Sequence, residues 1–239
     1  MIKSSFSSKF FSNLVLLGTS FYLIFSIYYI TSSFYKRLEI AEESAFSKME
    51  NITRNLSFFI DGDEYQKLMQ SNPQKNDINA NTDHEYYMKL HDILAYTKDY
   101  NGLTSDIYTW VVDTSSKGRL IVKFGVTSAD KPYFRHEWKD FPQDLLFFIQ
   151  NGGKLKNHKN KNDQWIGYFS PIFNSSGEPV GAIQADIPYH SFVADIRVEG
   201  LKSASLILLP VLLFLVLILP PKKKILSSFV LLTNPLPLH

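Results

Sequence analysis

Two apolar stretches, residues 10–30 and 201–221, constrain this chain more than anything else in it. The first has Asn13 and a few hydroxyls as its only polar members, and the second holds a run, residues 206–219, without a charge. A helix needs about 20 apolar residues to cross the hydrocarbon of a bilayer, so both are predicted to be transmembrane helices. The first is expected to remain as an anchor, because its apolar part is long and no small-residue cleavage site follows it. Lys3 and Lys9 precede the first stretch and Lys222, Lys223 and Lys224 follow the second. Basic flanks stay in the cytoplasm, so both termini are expected inside and the large middle region outside, with Lys36 and Arg37 weakening that bias but not reversing it. The expected plan is a cytoplasmic N-terminus (1–9), a first span (10–30), an amphipathic entry helix (31–60), an extracytoplasmic domain (61–200), a second span (201–221) and a short cytoplasmic tail (222–239). Such a protein is multi-pass and sits in the cytoplasmic (inner) membrane.

Composition bears mainly on what the middle region is not. With 25 basic and 23 acidic residues the formal net charge is +2, and no global field argues for nucleic acid. The chain has no Cys, which removes disulfides, thiolate chemistry and Cys-based metal sites from an exported domain. His84 and His91 are two turns apart on a predicted helix and do not form the adjacent pair a zinc site uses. Gly152-Gly153 lacks the following Lys-Ser/Thr pattern of a phosphate loop. No cofactor or metal is indicated.

Within the middle region, Phe34, Leu38, Ala41, Ala45, Met49, Ile52, Leu56 and Phe59 recur at intervals of three and four. That is the stripe of an amphipathic helix, running without Pro or Gly from the first span and able to pair with a second copy, so a homodimer is one expectation. Asp61-Gly62-Asp63 ends it, and Asp63 or the turn before it is expected to cap a short helix over 64–69. A second helix is expected over about 84–98 with Asp83 as its cap. Residues 106–113 and 120–124 are β-branched and aromatic and read as a hairpin. The loop 124–138 collects Asp130, Tyr133, Phe134, Arg135 and His136, and Arg135 has the fork geometry to clamp a carboxylate. A short apolar helix is expected over 142–150 and an exposed Lys/Asn-rich connection over 151–163.

The most informative stretch is residues 165–187. Two apolar runs flank Asn174-Ser-Ser-Gly177-Glu, a turn whose Gly accepts positive φ, so the stretch reads as a β-hairpin. On its second strand the period of two places Val180, Ala182, Gln184 and Asp186 on one face. A carboxylate closing an otherwise apolar face marks either the point where the strand meets water or a polar anchor inside a site.

Trp165, Gly167, the run Ser170-Pro171-Ile172-Phe173, the turn with Gly177 and the ending Ala185-Asp186-Ile187 together resemble the C-terminal half of Cache (PAS-like) extracytoplasmic sensor domains of bacterial transmembrane receptors. The likeness extends more loosely from Asp61 onward. It implies an α+β fold, a PAS-like antiparallel sheet of about five strands with a long N-terminal helix, flanked by the two transmembrane helices. It also implies binding without catalysis. The implied ligand is small and polar, with Asp186 as acceptor, Arg135 as counter-charge, Tyr108, Trp110, Tyr133 and Tyr168 as walls, and Ser170 beside Tyr168 as a further donor. The implied role is the input half of a receptor, here cut short of a cyclase or kinase output. An extracytoplasmic hydrolase using Asp61, Asp63, Asp130 and Asp186 is the poorer alternative, since nothing in their spacing makes carboxylates converge. A structural or adhesive membrane protein without ligand is the other.

Overall fold

The structure is a computed structural model that describes residues 3–114, 120–139, 141, 144–159 and 164–218. The chain divides into two compact units, Met1–Arg37 with Ile196–His239 and Leu38–Asp195. The predicted tail 222–239, with its lysines, lies outside the described residues.

The first unit is helical. It takes the start of helix α1 (Lys3–Phe59) and most of helix α5 (Tyr189–Ile218). Leu14, Leu16, Leu17, Phe21, Ile24 and Phe25 all turn outward, a surface that water does not favour and lipid does. Thr19 and Ser20 donate their hydroxyls to the carbonyls of Val15 and Leu16 one turn back, at 2.7 and 2.8 Å, which removes polar groups from that surface. Tyr22 donates to the Ile207 carbonyl at 3.3 Å, and Arg37 pairs with Glu199 at 3.2 Å. Among the described residues one helix is long and apolar enough to cross a membrane by length and composition, Asn13–Phe59. The expected second span is described only as far as Ile218, within α5, which carries Pro210 in its interior.

The second unit carries the rest of the elements. They are α2 (Gly62–Ser71), α3 (Glu85–Tyr100), β1 (Ile107–Thr114), β2 (Leu120–Thr127), β3 (Glu137–Trp138), α4 (Leu145–Asn151), β4 (Gly153–Lys159), β5 (Gln164–Phe173) and β6 (Pro179–Pro188). The strands form one antiparallel sheet in the order β3-β2-β1-β6-β5-β4. It has six strands, where about five were expected. Two strands lie where none was expected: the two-residue β3, inside the stretch read as a loop, and, at the other edge of the sheet, β4, from the stretch read as an exposed connection. Lysines on a sheet edge deter pairing with other chains, and they also hid this strand from a reading based on apolar alternation.

The two hairpins form where the sequence places them. Between β5 and β6, Gly177 takes φ 77°, and the Asn174 side chain accepts from the backbone N–H of Ser176 and Glu178 at 3.1 and 2.8 Å. This is the local hydrogen bonding for which Asn is favoured in turns. Asp61 caps α2, accepting from the N–H of Asp63 and Glu64 at 3.0 and 3.1 Å, so the cap falls in the turn before Asp63. Helix α3 is capped by His84, whose Nδ1 accepts from Tyr86 at 3.2 Å, and not by Asp83. Asp83 is engaged by the N–H of Asn79 and Ala80 at 2.7 and 2.8 Å, holding the preceding loop instead.

The sheet has two dissimilar faces. Met49, Ile52 and Leu56 of α1, Tyr65, Leu68 and Met69 of α2, and Tyr87, Leu90 and Leu94 of α3 pack on Ile107, Val111, Val126, Ile166, Ile172 and Ile183. The predicted stripe of α1 is thus buried in its middle. Its end is not: Phe59 is 74% exposed, and Phe46 and Thr53 take buried places that the stripe did not include. The opposite face is covered by α4 through Leu145 and Ile149, which meet Trp110, Val122, Leu155, Phe169 and Ala182.

Candidate functional site

On the α4 face, strand pairing fixes a polar chain inside aromatic surroundings. Tyr108 of β1 lies opposite Gln184 of β6, and Trp110 opposite Ala182, so Tyr108, Trp110, Gln184 and Asp186 share one face. Trp110 Nε1 donates to Gln184 Oε1 at 2.5 Å, and Gln184 Nε2 donates to Asp186 Oδ1 at 2.5 Å. The Tyr108 hydroxyl donates to Asp186 Oδ2. Both carboxylate oxygens are therefore held, one by each neighbour.

The pairing also explains the glycine opposite. Gly167 of β5 faces Asp186 across the ladder, and a Cβ on Gly167 would collide with Asp186 Oδ1. Only a residue without a side chain leaves the carboxylate its place. Around it, the Trp110 ring lies 4.1 Å from Phe124 and is stacked on Trp138 at 4.8 Å. Tyr108 meets the edges of Trp110 and Phe124 at 5.4 and 5.3 Å.

The electrostatics are unbalanced. Asp186 is 7% exposed, and none of the ion pairs among the described residues involves it. Burial raises its pKa to about 6, against the opposing effect of the hydrogen bonds from Tyr108 and Gln184. Burial first, and then the neighbouring Asp186, raise the Tyr108 hydroxyl well above its usual range, so it stays a proton donor. Asp186 is thus an oriented, nearly dehydrated carboxylate without a cation among the described residues, held by Tyr108 and Gln184 at the edge of the Tyr108, Trp110, Phe124 and Trp138 ring cluster.

The sequence-predicted residues divide by face. Asp186, Tyr108 and Trp110 come together, and Tyr133, 47% exposed, borders them through Phe124 at 5.9 Å. Tyr168 and Ser170 point to the helix face instead. Tyr168 sits in the core of the helix face, near Arg54, and Ser170 shares a 2.8 Å hydrogen bond with Thr53. The register dictates this: Tyr168 lies opposite Ala185, and therefore on the face that Asp186 does not occupy. Arg135 also lies away from Asp186. It is 6% exposed and donates to both Asp113 oxygens at 3.1 and 2.9 Å, to the Asn72 carbonyl at 3.1 Å and to the Met69 carbonyl. The counter-charge expected at Asp186 is thus spent on Asp113.

Sequence reasoning left out Gln184, Gly167, Phe124 and Trp138. Gln184 had a signal, an amide in the middle of an apolar strand face. Asp61 and Asp63 have local duties, the α2 cap and acceptance from the Ser175 N–H at 3.2 Å. Among the described residues no group of three or more His, Asp or Glu side chains is placed to hold a metal ion.

No family model matches the chain, and no curated protein matches it. Solved structures do. The sensor domain of the histidine kinase DctB from V. cholerae aligns at 12% identity and TM-score 0.49, over 70% of this chain and 57% of that one. The sensor domain of DcuS from E. coli aligns at 16% identity and TM-score 0.41, over 66% of this chain and 97% of that one. The sensory domain of the Campylobacter jejuni chemoreceptor Tlp3, solved with isoleucine bound, aligns at 10% identity and TM-score 0.37, over 82% of this chain and 67% of that one. The chain spans little more than half the length of the DctB domain. These neighbours are sensor domains of the Cache, PAS-like kind.

Proposed function

We propose that this chain is the input half of a membrane-anchored signalling receptor, and that its extracytoplasmic domain binds a small polar ligand carrying a protonated amine at Asp186. The buried carboxylate, which has no ion-pair partner among the described residues, carries the reading. A cationic ligand supplies the missing charge, and the rings of Trp110, Phe124, Trp138 and Tyr133 shield it from water. Tyr108 and Gln184 orient the carboxylate before the ligand arrives, which reduces the ordering that binding requires.

Spans over 10–30 and 201–221 would anchor the domain in the cytoplasmic membrane, with 1–9 and 222–239 inside. The outward apolar surface of α1 supports the first. Entry of a ligand beneath β6 bears on signalling because β6 runs into α5 without a break. Occupancy then biases a two-state equilibrium by the ligand's differential affinity for the two states.

The test is thermal unfolding of the full chain in detergent against a panel of amines, amino acids and organic acids. A saturable rise in midpoint with an amine-bearing compound, lost in Asp186→Ala, is expected. A panel without any response that depends on Asp186 removes the reading and favours a scaffold without ligand.

A further inference from the structure

We infer that the cleft on the opposite face of the sheet, between α2 and the paired ends of β1 and β2, is a second binding site that takes a small organic monoanion with an apolar body. The cleft encloses about 660 Å³, the size of a small-molecule site. One wall is α2, with Gln66 and Gln70 one turn apart and Met69 between them, and the floor is Val111 and Asp113 of β1 with Lys123 of β2.

The floor holds two cations against one carboxylate. Arg135 and Lys123 both pair with the single carboxylate of Asp113, at 2.9 and 2.8 Å. Arg135 is buried, and the Lys123 side chain is 22% exposed and lines the cleft. Asp113 can neutralise only one of the two cations. An anion entering the cleft meets the Lys123 ammonium and the Gln70 amide, and its apolar part lies on Met69, Val111 and Val180. Glu178 also lines the cleft and is exposed to solvent, so a second negative charge on the ligand is opposed there. The four charged side chains of the lining balance, but they are arranged with Lys123 in the floor to attract one carboxylate and Glu178 at the exposed rim to oppose a second, which favours a monoanion over a dianion. This site does not depend on Asp186, which faces away on the other side of the sheet.

The test uses the full chain in detergent at constant ionic strength, with isovalerate as the monoanion, succinate as the dianion and isopentylamine as the cation of like shape. Titration calorimetry and thermal unfolding are expected to show saturable binding of isovalerate, at least tenfold weaker succinate and no response to isopentylamine that Lys123 controls. Lys123→Met is expected to weaken isovalerate at least tenfold, and Asp186→Asn to leave it unchanged. Glu178→Gln, at an exposed position that does not threaten the fold, is expected to bring succinate within about threefold of isovalerate. Absence of saturable isovalerate binding to the unaltered chain overturns the inference, as does binding that persists in Lys123→Met or a succinate preference indifferent to Glu178→Gln.

Discussion

The two faces of the sheet solve the problem of buried charge in opposite ways. On the helix face, Arg135 is buried but surrounded, with a carboxylate and two backbone carbonyls taking its donors. On the α4 face, Asp186 is buried with two hydrogen bonds and, among the described residues, no cation. The first arrangement holds a structure together. The second keeps a carboxylate out of water at a cost to stability, and the proposed binding role rests on that cost.

The largest effect should come from breaking the balanced face. Arg135→Met leaves the Met69 and Asn72 carbonyls without their donor and Asp113 with Lys123 alone, and stability measured by urea unfolding should fall by about 3–5 kcal/mol. The unbalanced face should respond in the other direction. The pKa of Asp186 is raised from its ordinary value to about 6, so its contribution to stability is fully present below the unfolded value near 4 and is lost as pH rises through 6. That loss is on the order of 3 kcal/mol from a shift of about two pH units. Asp186→Asn should therefore flatten the pH dependence between 4 and 7. At pH 7.5 it should be no less stable than the unaltered chain, even though the Asn side chain has one acceptor for two donors. A variant as pH-dependent as the parent would place the titration elsewhere.

A smaller effect is expected from Gly167→Ala. Its methyl would press on Asp186 Oδ1, lowering stability by about 1–3 kcal/mol while displacing the carboxylate, so amine binding should weaken more than unfolding alone explains. Smallest, Asp61→Ala removes the α2 cap and should cost about 1 kcal/mol without changing the amine response, since that cap belongs to the helix face.

Much of this division was legible in the sequence, and its limits were physical. The period of two on β6 placed Gln184 and Asp186 on one face, and the turn at Asn174–Gly177 fixed the hairpin. Facing across strands was not legible. Whether Tyr168 or Gly167 meets Asp186 depends on register, and one residue of slip exchanges the faces. Arg135 was misplaced for a different reason. It adopts φ 59°, a left-handed conformation rare for a residue with a side chain, and the sequence of the loop gives no sign of that reversal. Strand β4 stayed hidden because an edge strand need not alternate. The helices were easier, although the α3 cap fell one residue later than the stronger capping residue suggested.

One feature of the sheet ties both faces to a single point. Between β1 and β2 the ladder slips: Tyr108 opposes Thr127 but Trp110 opposes Phe124, so β2 holds one residue more than its partner. Val122 and Phe124 accordingly lie on the α4 face while Val126, in phase with them by number, lies on the helix face. Phe124 is also where the returning chain is pinned, accepting from the Arg135 N–H at 2.8 Å and donating to the His136 carbonyl at 3.0 Å. The strand thus keeps count for two neighbourhoods at once. Its length can change by two residues with each side chain still facing its own layer, but a change of one would trade aromatic for aliphatic contacts and pull the guanidinium and the indole of Trp138 from their places together.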